Sequence, residues 1–305
     1  MSGFKSIHLD EDDFMDEINE NEDDDNMQIC KEIIAVSKNN KRKWVKYTFF
    51  AGLLVVIVTT AIVYISSSSG NNATYNSVSS LSSVDISTSF LTAPEILEEN
   101  LPYLIYGTAW KKNSTSNLVQ NAVMNGYRFI DTANQPEHYN EAGVGEGWTE
   151  AAEALGLNRN DFYIQTKFSP LNSQDSNNVP YNKTAPISDM VVQSVHGSLQ
   201  NLKTTYLDVL ILHSPYKTME NTLTAWRAME SLVDDGTVLR IGISNCYKYE
   251  TLTKLYDSAR IKPTILQNHL KTIDFDPRFL QFTRNNNMDY QAFWTLTANK
   301  HHLQM

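Results

Sequence analysis

Two stretches, Tyr206-Leu207-Asp208-Val209-Leu210-Ile211-Leu212-His213 and Thr237-Val238-Leu239-Arg240-Ile241-Gly242-Ile243-Ser244-Asn245, share one pattern: a short apolar run that closes on polar residues. A run of this length, bounded by turn residues, is what a strand buried on both faces requires. The same reading applies to Tyr103–Thr108, Tyr127–Asp131, Phe162–Lys167, Thr264–Gln267 and Asp289–Phe293, with Asp208–His213 and Leu239–Ser244 as the strands of the two quoted stretches. Between them lie the amphipathic stretches Asn117–Asn125, Ser188–Leu202, Thr222–Asp234 and Tyr249–Ala259, each predicted to be helical. Alternation of this kind predicts βα units around a parallel sheet, an α/β protein.

The strand ends carry the chemistry. Asp131, Lys167, His213, Ser244 with Asn245, and Gln267 each terminate an apolar run that has no structural need of them. In a (β/α)8 barrel the C-terminal ends of the strands share one rim, where active sites are assembled. A single strand-end lysine or histidine is ordinarily a satisfied surface group. Five ends bearing complementary polar groups read instead as a site.

At these residues the sequence resembles the aldo-keto reductase family. Gly107-Thr108-Ala109-Trp110 is similar to the family's first-strand loop, and Gly126-Tyr127-Arg128-Phe129-Ile130-Asp131-Thr132-Ala133 to its second-strand signature. Asn140-Glu141-Ala142-Gly143-Val144-Gly145 follows the same block. The run Tyr206–Pro215 resembles the fourth strand and Gly236–Asn245 the fifth. The resemblance extends from about Leu101 to Asn299 and implies a TIM barrel of aldo-keto reductase type. It further implies reduction of an aldehyde or ketone with NADP, or alternatively NAD, and no metal. Asp131, a tyrosine, Lys167 and His213 would form the catalytic set. Ser244, Asn245 and Gln267 would hold the nicotinamide carboxamide, with Phe293, where the family usually has tyrosine, stacking on the ring. Thr108 would join the cofactor site and Trp110 the substrate pocket.

The chemistry of such a set is elementary. Carbonyl reduction needs hydride at carbon and a proton at oxygen; a cofactor supplies the first and a phenol the second, provided an ammonium stabilises the phenolate and a carboxylate holds the ammonium. A neighbouring histidine can then donate to the substrate oxygen. The family places its tyrosine five residues after the aspartate, where this chain has Pro136. Asn134-Gln135-Pro136-Glu137 reads as an insertion, so the acid falls to Tyr139, with His138 as the alternative. The polar segment Ser169–Ser188 either shapes the pocket or is a solvated insertion. Cys246 has no base placed for it and reads as a packing residue.

The rest of the chain has a different texture. Of the 35 acidic residues in 305, 12 fall within Met1–Glu32 against Lys5 and Lys31 alone, a charge of −10 that equals the net charge of the whole chain. Lys38, Lys41, Arg42, Lys43 and Lys46 follow without an acid among them. Residues 1–46 therefore read as a disordered acidic, then basic, cytosolic tail. Tyr47–Ile65 holds 19 residues without a charge, close to the roughly 20 that cross a bilayer as a helix. The preceding lysines and the flanking Trp44, Tyr47 and Tyr64 predict a single-pass signal-anchor with a cytosolic N-terminus and a lumenal or extracellular barrel. Residues 66–100 read as a stalk, with 11 serines among the 24 residues Ser66–Ser89. Sequons at Asn72, Asn113 and Asn182 all follow the apolar run.

These features exclude several classes. No basic stripe exists outside Lys38–Lys46, which argues against a nucleic-acid partner. Two cysteines, Cys30 and Cys246, are too few for a disulfide framework, and no zinc-ligand spacing is present. The barrel assigned to residues 101–305 is shorter than the roughly 250 residues of a complete one. The chain stops twelve residues after the seventh strand, so the barrel is expected to be incomplete, lacking its last βα repeat and leaving two strand edges unpaired. That shortness motivates a second reading, a catalytically impaired barrel that serves as a membrane-tethered nucleotide-binding or interaction module.

Overall fold

A computed structural model of the chain describes residues 6–9, 90–270 and 276–295. Strands β2 (Tyr103–Gly107), β3 (Phe129–Asp131), β4 (Tyr163–Phe168), β5 (Leu207–Leu212), β6 (Val238–Ser244), β7 (Ile265–His269) and β8 (Asp289–Phe293) each overlap one of the seven expected from the sequence. They pair in parallel in chain order, with Asp131 beside Gln165, Leu212 beside Ile243 and Gln267 beside Gln291. Helices α2 (Thr115–Met124), α3 (Glu141–Leu155), α4 (Ile187–Asn201), α5 (Met219–Asp234), α6 (Tyr249–Ser258) and α7 (Pro277–Asn285) connect them.

Two expectations about the first hundred residues are corrected. Ser6–Leu9 forms β1, parallel to both β2 and β8, so the sheet closes into an eight-stranded barrel and the two edges expected to stand open are paired. The physical reason is that open edges offer unsatisfied N–H and C=O groups to any extended segment, and Ser6-Ile7-His8-Leu9 is free of acidic residues although it lies within the acidic tail. The apolar run 47–65, the rest of the tail, the stalk as far as residue 89 and the sequon at Asn72 lie outside the described residues. Among the described residues no helix is long and apolar enough to cross a membrane.

The second correction concerns the end of the stalk. Ala93–Glu98 forms helix α1, opened by a capping box in which the Thr92 hydroxyl accepts from the Glu95 amide and the Glu95 carboxylate accepts from Thr92 N. Ala93 and Ile96 pack on Tyr103, Ile105, Phe129, Tyr163, Val209, Ile211 and Ile265. The rings of Tyr103 and Phe129 stack at 4.0 Å. Residues that a serine-rich sequence suggests are linker thus belong to the barrel's apolar core, because a helix with its own cap can cover exposed aromatic surface.

Helix α3 is set against its neighbours by two glycines. A Cβ on Gly145 would stand 2.1 Å from Asn201 O and one on Gly147 2.3 Å from Ser116 O, so only glycine permits this approach. Trp148 then seats its indole N–H on Leu202 O at 2.8 Å. Gly197, on α4, has only Asn134 Nδ2 at an ordinary 3.6 Å. We therefore expect Gly147→Ala to lower unfolding free energy by about 1–3 kcal/mol through overpacking against fixed backbone. Gly197→Ala is expected to raise it by up to about 1 kcal/mol through helix propensity. Urea unfolding of both variants checks the opposite signs.

Candidate active site

Asp131, at the end of β3, is fully buried, and its carboxylate is surrounded by donors. Lys167 Nζ, on β4, lies 2.5 Å from Oδ2 and also donates to Thr132 O at 2.9 Å. Gln165 Nε2 and Gln267 Nε2 donate to Oδ1 at 2.5 and 3.2 Å. The lysine is itself only 2% exposed. A buried ammonium is tolerated only when paired in this way. Its Nζ lies 5.2 Å from the centroid of the Tyr139 ring, and that ring meets His213 edge-on at 6.0 Å.

Strands and loops deliver the remaining groups to the same place. Ala109, Trp110, Asp131, Tyr139, Lys167, His213, Ser244, Asn245, Gln267, Phe293 and Trp294 line one cavity of about 170 Å³. Nine of the residues expected from the sequence are thus brought together. Tyr139 lines the cavity, whereas its alternative, His138, lies tilted against Trp110 with ring centroids 4.0 Å apart and is absent from the lining. Thr108 is the exception. Its amide and hydroxyl both donate to Asp131 O, at 3.1 and 2.9 Å, so it pins β2 to β3, and it is not among the residues that line the cavity.

The backbone at the cavity is constrained. Trp110, Asn245 and Trp294 adopt left-handed φ values of 62°, 52° and 57°. Such conformations cost non-glycine residues free energy and persist where surrounding contacts over-determine them. Trp110 N is held by His138 O at 2.6 Å, and Asn245 Nδ2 by His213 O at 2.9 Å and Ser244 Oγ at 3.2 Å.

His213 follows β5. Burial first, and the nearby Lys167 ammonium second, hold its pKa down to about 3, so the imidazole is neutral at physiological pH. Its Nδ1 meets Ser169 Oγ at 2.7 Å. When the serine hydroxyl donates there, Nε2 carries the ring proton. Ser169 is in turn held by the segment that follows it: Tyr181 OH and Gln174 Nε2 donate to Ser169 O at 2.8 and 3.3 Å. The 169–188 segment does not line the cavity itself; it braces the residue that touches His213. Cys246 is buried, which raises its thiol pKa to about 12 and fits the packing role.

A carboxamide-bearing flat ring suits the remaining groups. Asn245, with its amide hydrogens on His213 O and Ser244 Oγ, orders this wall; Ser244 adds a hydroxyl, Gln267 a carbonyl oxygen, and Phe293 lines the same cavity. A carbonyl acceptor, a hydroxyl and an aromatic wall match what a nicotinamide presents. Among the described residues no group of three or more His, Cys, Asp or Glu side chains could hold a metal ion.

Sequence reasoning passed over Gln165, Ser169, Gln291 and Trp294. The first and third carried a signal: a glutamine inside an apolar strand, at an inward position, demands partners. Ser169 and Trp294 lie just beyond strand ends and have no pattern of their own.

The model of the aldo/keto reductase family matches residues 104–299. The chain belongs to the aldo/keto reductase family. Two of its curated relatives come from Bacillus subtilis (strain 168). An uncharacterized oxidoreductase is 35% identical over 165 residues, 54% of this chain and 51% of the relative. A glyoxal reductase is 33% identical over 169 residues, 55% of this chain and 51% of the relative. The chain therefore spans about half the length of these aldo/keto reductase relatives. The crystal structure of an aldo/keto reductase from Brucella melitensis superposes with a TM-score of 0.52 at 26% identity, covering 63% of this chain and 68% of that one.

The neutral state of His213 is directly measurable. Because its folded pKa lies below the ordinary 6.5, the stability it contributes is complete above 6.5 and is lost as pH falls from there toward 3. Imidazole ¹⁵N NMR should show no titration of His213 between pH 8 and 5, and His213→Gln should flatten the fall in Tm over the acidic part of that range. A midpoint near 6.5 would overturn the assignment.

Proposed function

We propose that this chain reduces small aldehydes or ketones to alcohols with NADPH, Tyr139 giving the proton. The observation that carries the reading is the stacking order at the rim: Asp131 holds Lys167, Lys167 lies under the Tyr139 ring, and His213 stands beside that ring, all opening on one cavity. When bound, the nicotinamide supplies hydride to the carbonyl carbon. Ser244, Asn245 and Gln267 would hold its carboxamide and Phe293 its ring face.

The chain's own groups account for the proton. An ammonium beside a phenol favours the phenolate left after transfer, which eases release of the proton to a developing alkoxide. The buried Asp131 keeps that ammonium in place. A neutral His213 donates a hydrogen bond to the substrate oxygen from Nε2 and orients the carbonyl. Trp110 and Trp294 line a cavity of about 170 Å³, which suits a small substrate, and the relative named as a glyoxal reductase supports the class. The choice of NADP over NAD rests on the family. Membrane association through residues 47–65 has the uncharged run and its preceding basic residues as its support.

The test separates chemistry from binding. Tyr139→Phe should lower aldehyde-dependent NADPH oxidation by at least ~10²-fold, the scale of general acid catalysis, while quenching of tryptophan fluorescence by NADPH is retained. Undiminished turnover would refute the role of Tyr139. Wild-type protein that binds NADPH without turning over any aldehyde would favour the interaction-module reading.

A further inference from the structure

Beneath the rim, the barrel interior holds polar side chains where branched apolar residues usually fill the layer. Gln165 on β4, Gln267 on β7 and Gln291 on β8 are 0%, 2% and 0% exposed and surround Asp131. Gln165 and Gln291, from opposite strands, meet across the barrel axis as a reciprocal amide pair: Gln165 Nε2 donates to Gln291 Oε1 at 2.9 Å and Gln291 Nε2 to Gln165 Oε1 at 3.0 Å. Gln291 Oε1 also accepts from Gln267 Nε2 at 3.0 Å.

The orientation of all three amides follows from one charge. The Asp131 carboxylate only accepts, so Gln165 and Gln267 must turn their NH₂ groups toward it. Their second hydrogens then require a common acceptor, which is the Gln291 oxygen, and Gln291 must give its own NH₂ to Gln165. Gln267 consequently has both donors committed inward, and its oxygen is the end left for Ser244 Oγ, at 3.4 Å, and for the cavity.

We propose that Gln165 and Gln291 are positioning residues: their amide pair, polarised by Asp131, fixes Gln267 with its carbonyl oxygen toward the cavity, so that the site selects a ligand group that donates, such as a carboxamide NH₂, over one that only accepts. The ligand part rests on the nicotinamide reading above; the amide pair does not.

The test uses the full-length protein in two arms. In urea unfolding, Gln165→Met and Gln291→Met should each lower the folding equilibrium constant by roughly ten- to a hundredfold, since each strands a buried amide, and the double variant should be at least about tenfold more stable than the product of the singles. Additive losses would overturn the pair. In fluorescence titrations, wild type should bind NADP at least about tenfold tighter than the analogue with a carboxylate in place of the carboxamide. Gln291→Met, with native circular dichroism, should bring the two toward parity while binding of 2′,5′-ADP, which lacks the nicotinamide, is unchanged. An undiminished preference would overturn the orienting role. A non-additive cycle in a wild type that binds no dinucleotide would instead refute the nicotinamide reading and leave the amide pair standing.

Discussion

A buried lysine is among the costliest groups a barrel can hold, and the contact of Lys167 with Asp131 makes this one possible. Removing one partner of such a pair leaves an uncompensated charge in a water-poor interior, a cost of about 3–5 kcal/mol. The pair is therefore poor value as a stabilising device and intelligible as a way to place an ammonium under Tyr139. Much of the surrounding polar structure serves it. Thr108 clamps the Asp131 backbone, Thr132 O takes a second hydrogen from Lys167, and Gln165 and Gln267 complete the carboxylate's shell.

The barrel divides into two regimes along its axis. One end is closed by aromatic and branched residues under the Ala93–Glu98 helix, where dispersion and burial dominate. The other holds a charge pair, an amide network and left-handed backbone at Trp110, Asn245 and Trp294. Stability concentrated in the apolar end supports strain at the polar end, and the His213 imidazole is kept neutral by the same low-water environment that makes the ion pair necessary.

The seven strands between Tyr103 and Phe293 were legible because each is a short apolar run with turn residues at its ends, and the site was legible because polar groups at those ends have no packing purpose. Tyr139 could be preferred over Pro136 on chemistry, but only the fold separates it from His138, since the two are adjacent in sequence and the backbone sends one ring to the cavity and the other to Trp110. Ser6–Leu9 was illegible: four uncharged residues in an acidic segment carry no periodicity, and strand pairing between residues nearly a hundred positions apart leaves no local trace. Thr108 lies outside the cavity lining, and a hydroxyl at a strand end reads the same whether it meets a ligand or a neighbouring carbonyl.

We propose that this barrel passes hydride from a nicotinamide to a carbonyl carbon in the cavity built around Lys167 and Asp131. Incubating the purified chain with a small aldehyde and NADPH deuterated at the transferable C4 position, then analysing the alcohol by mass spectrometry, tests that claim most directly. The account predicts one deuterium on the carbinol carbon of the product. Alcohol formed without the label, or no alcohol from protein that binds the cofactor, would contradict it.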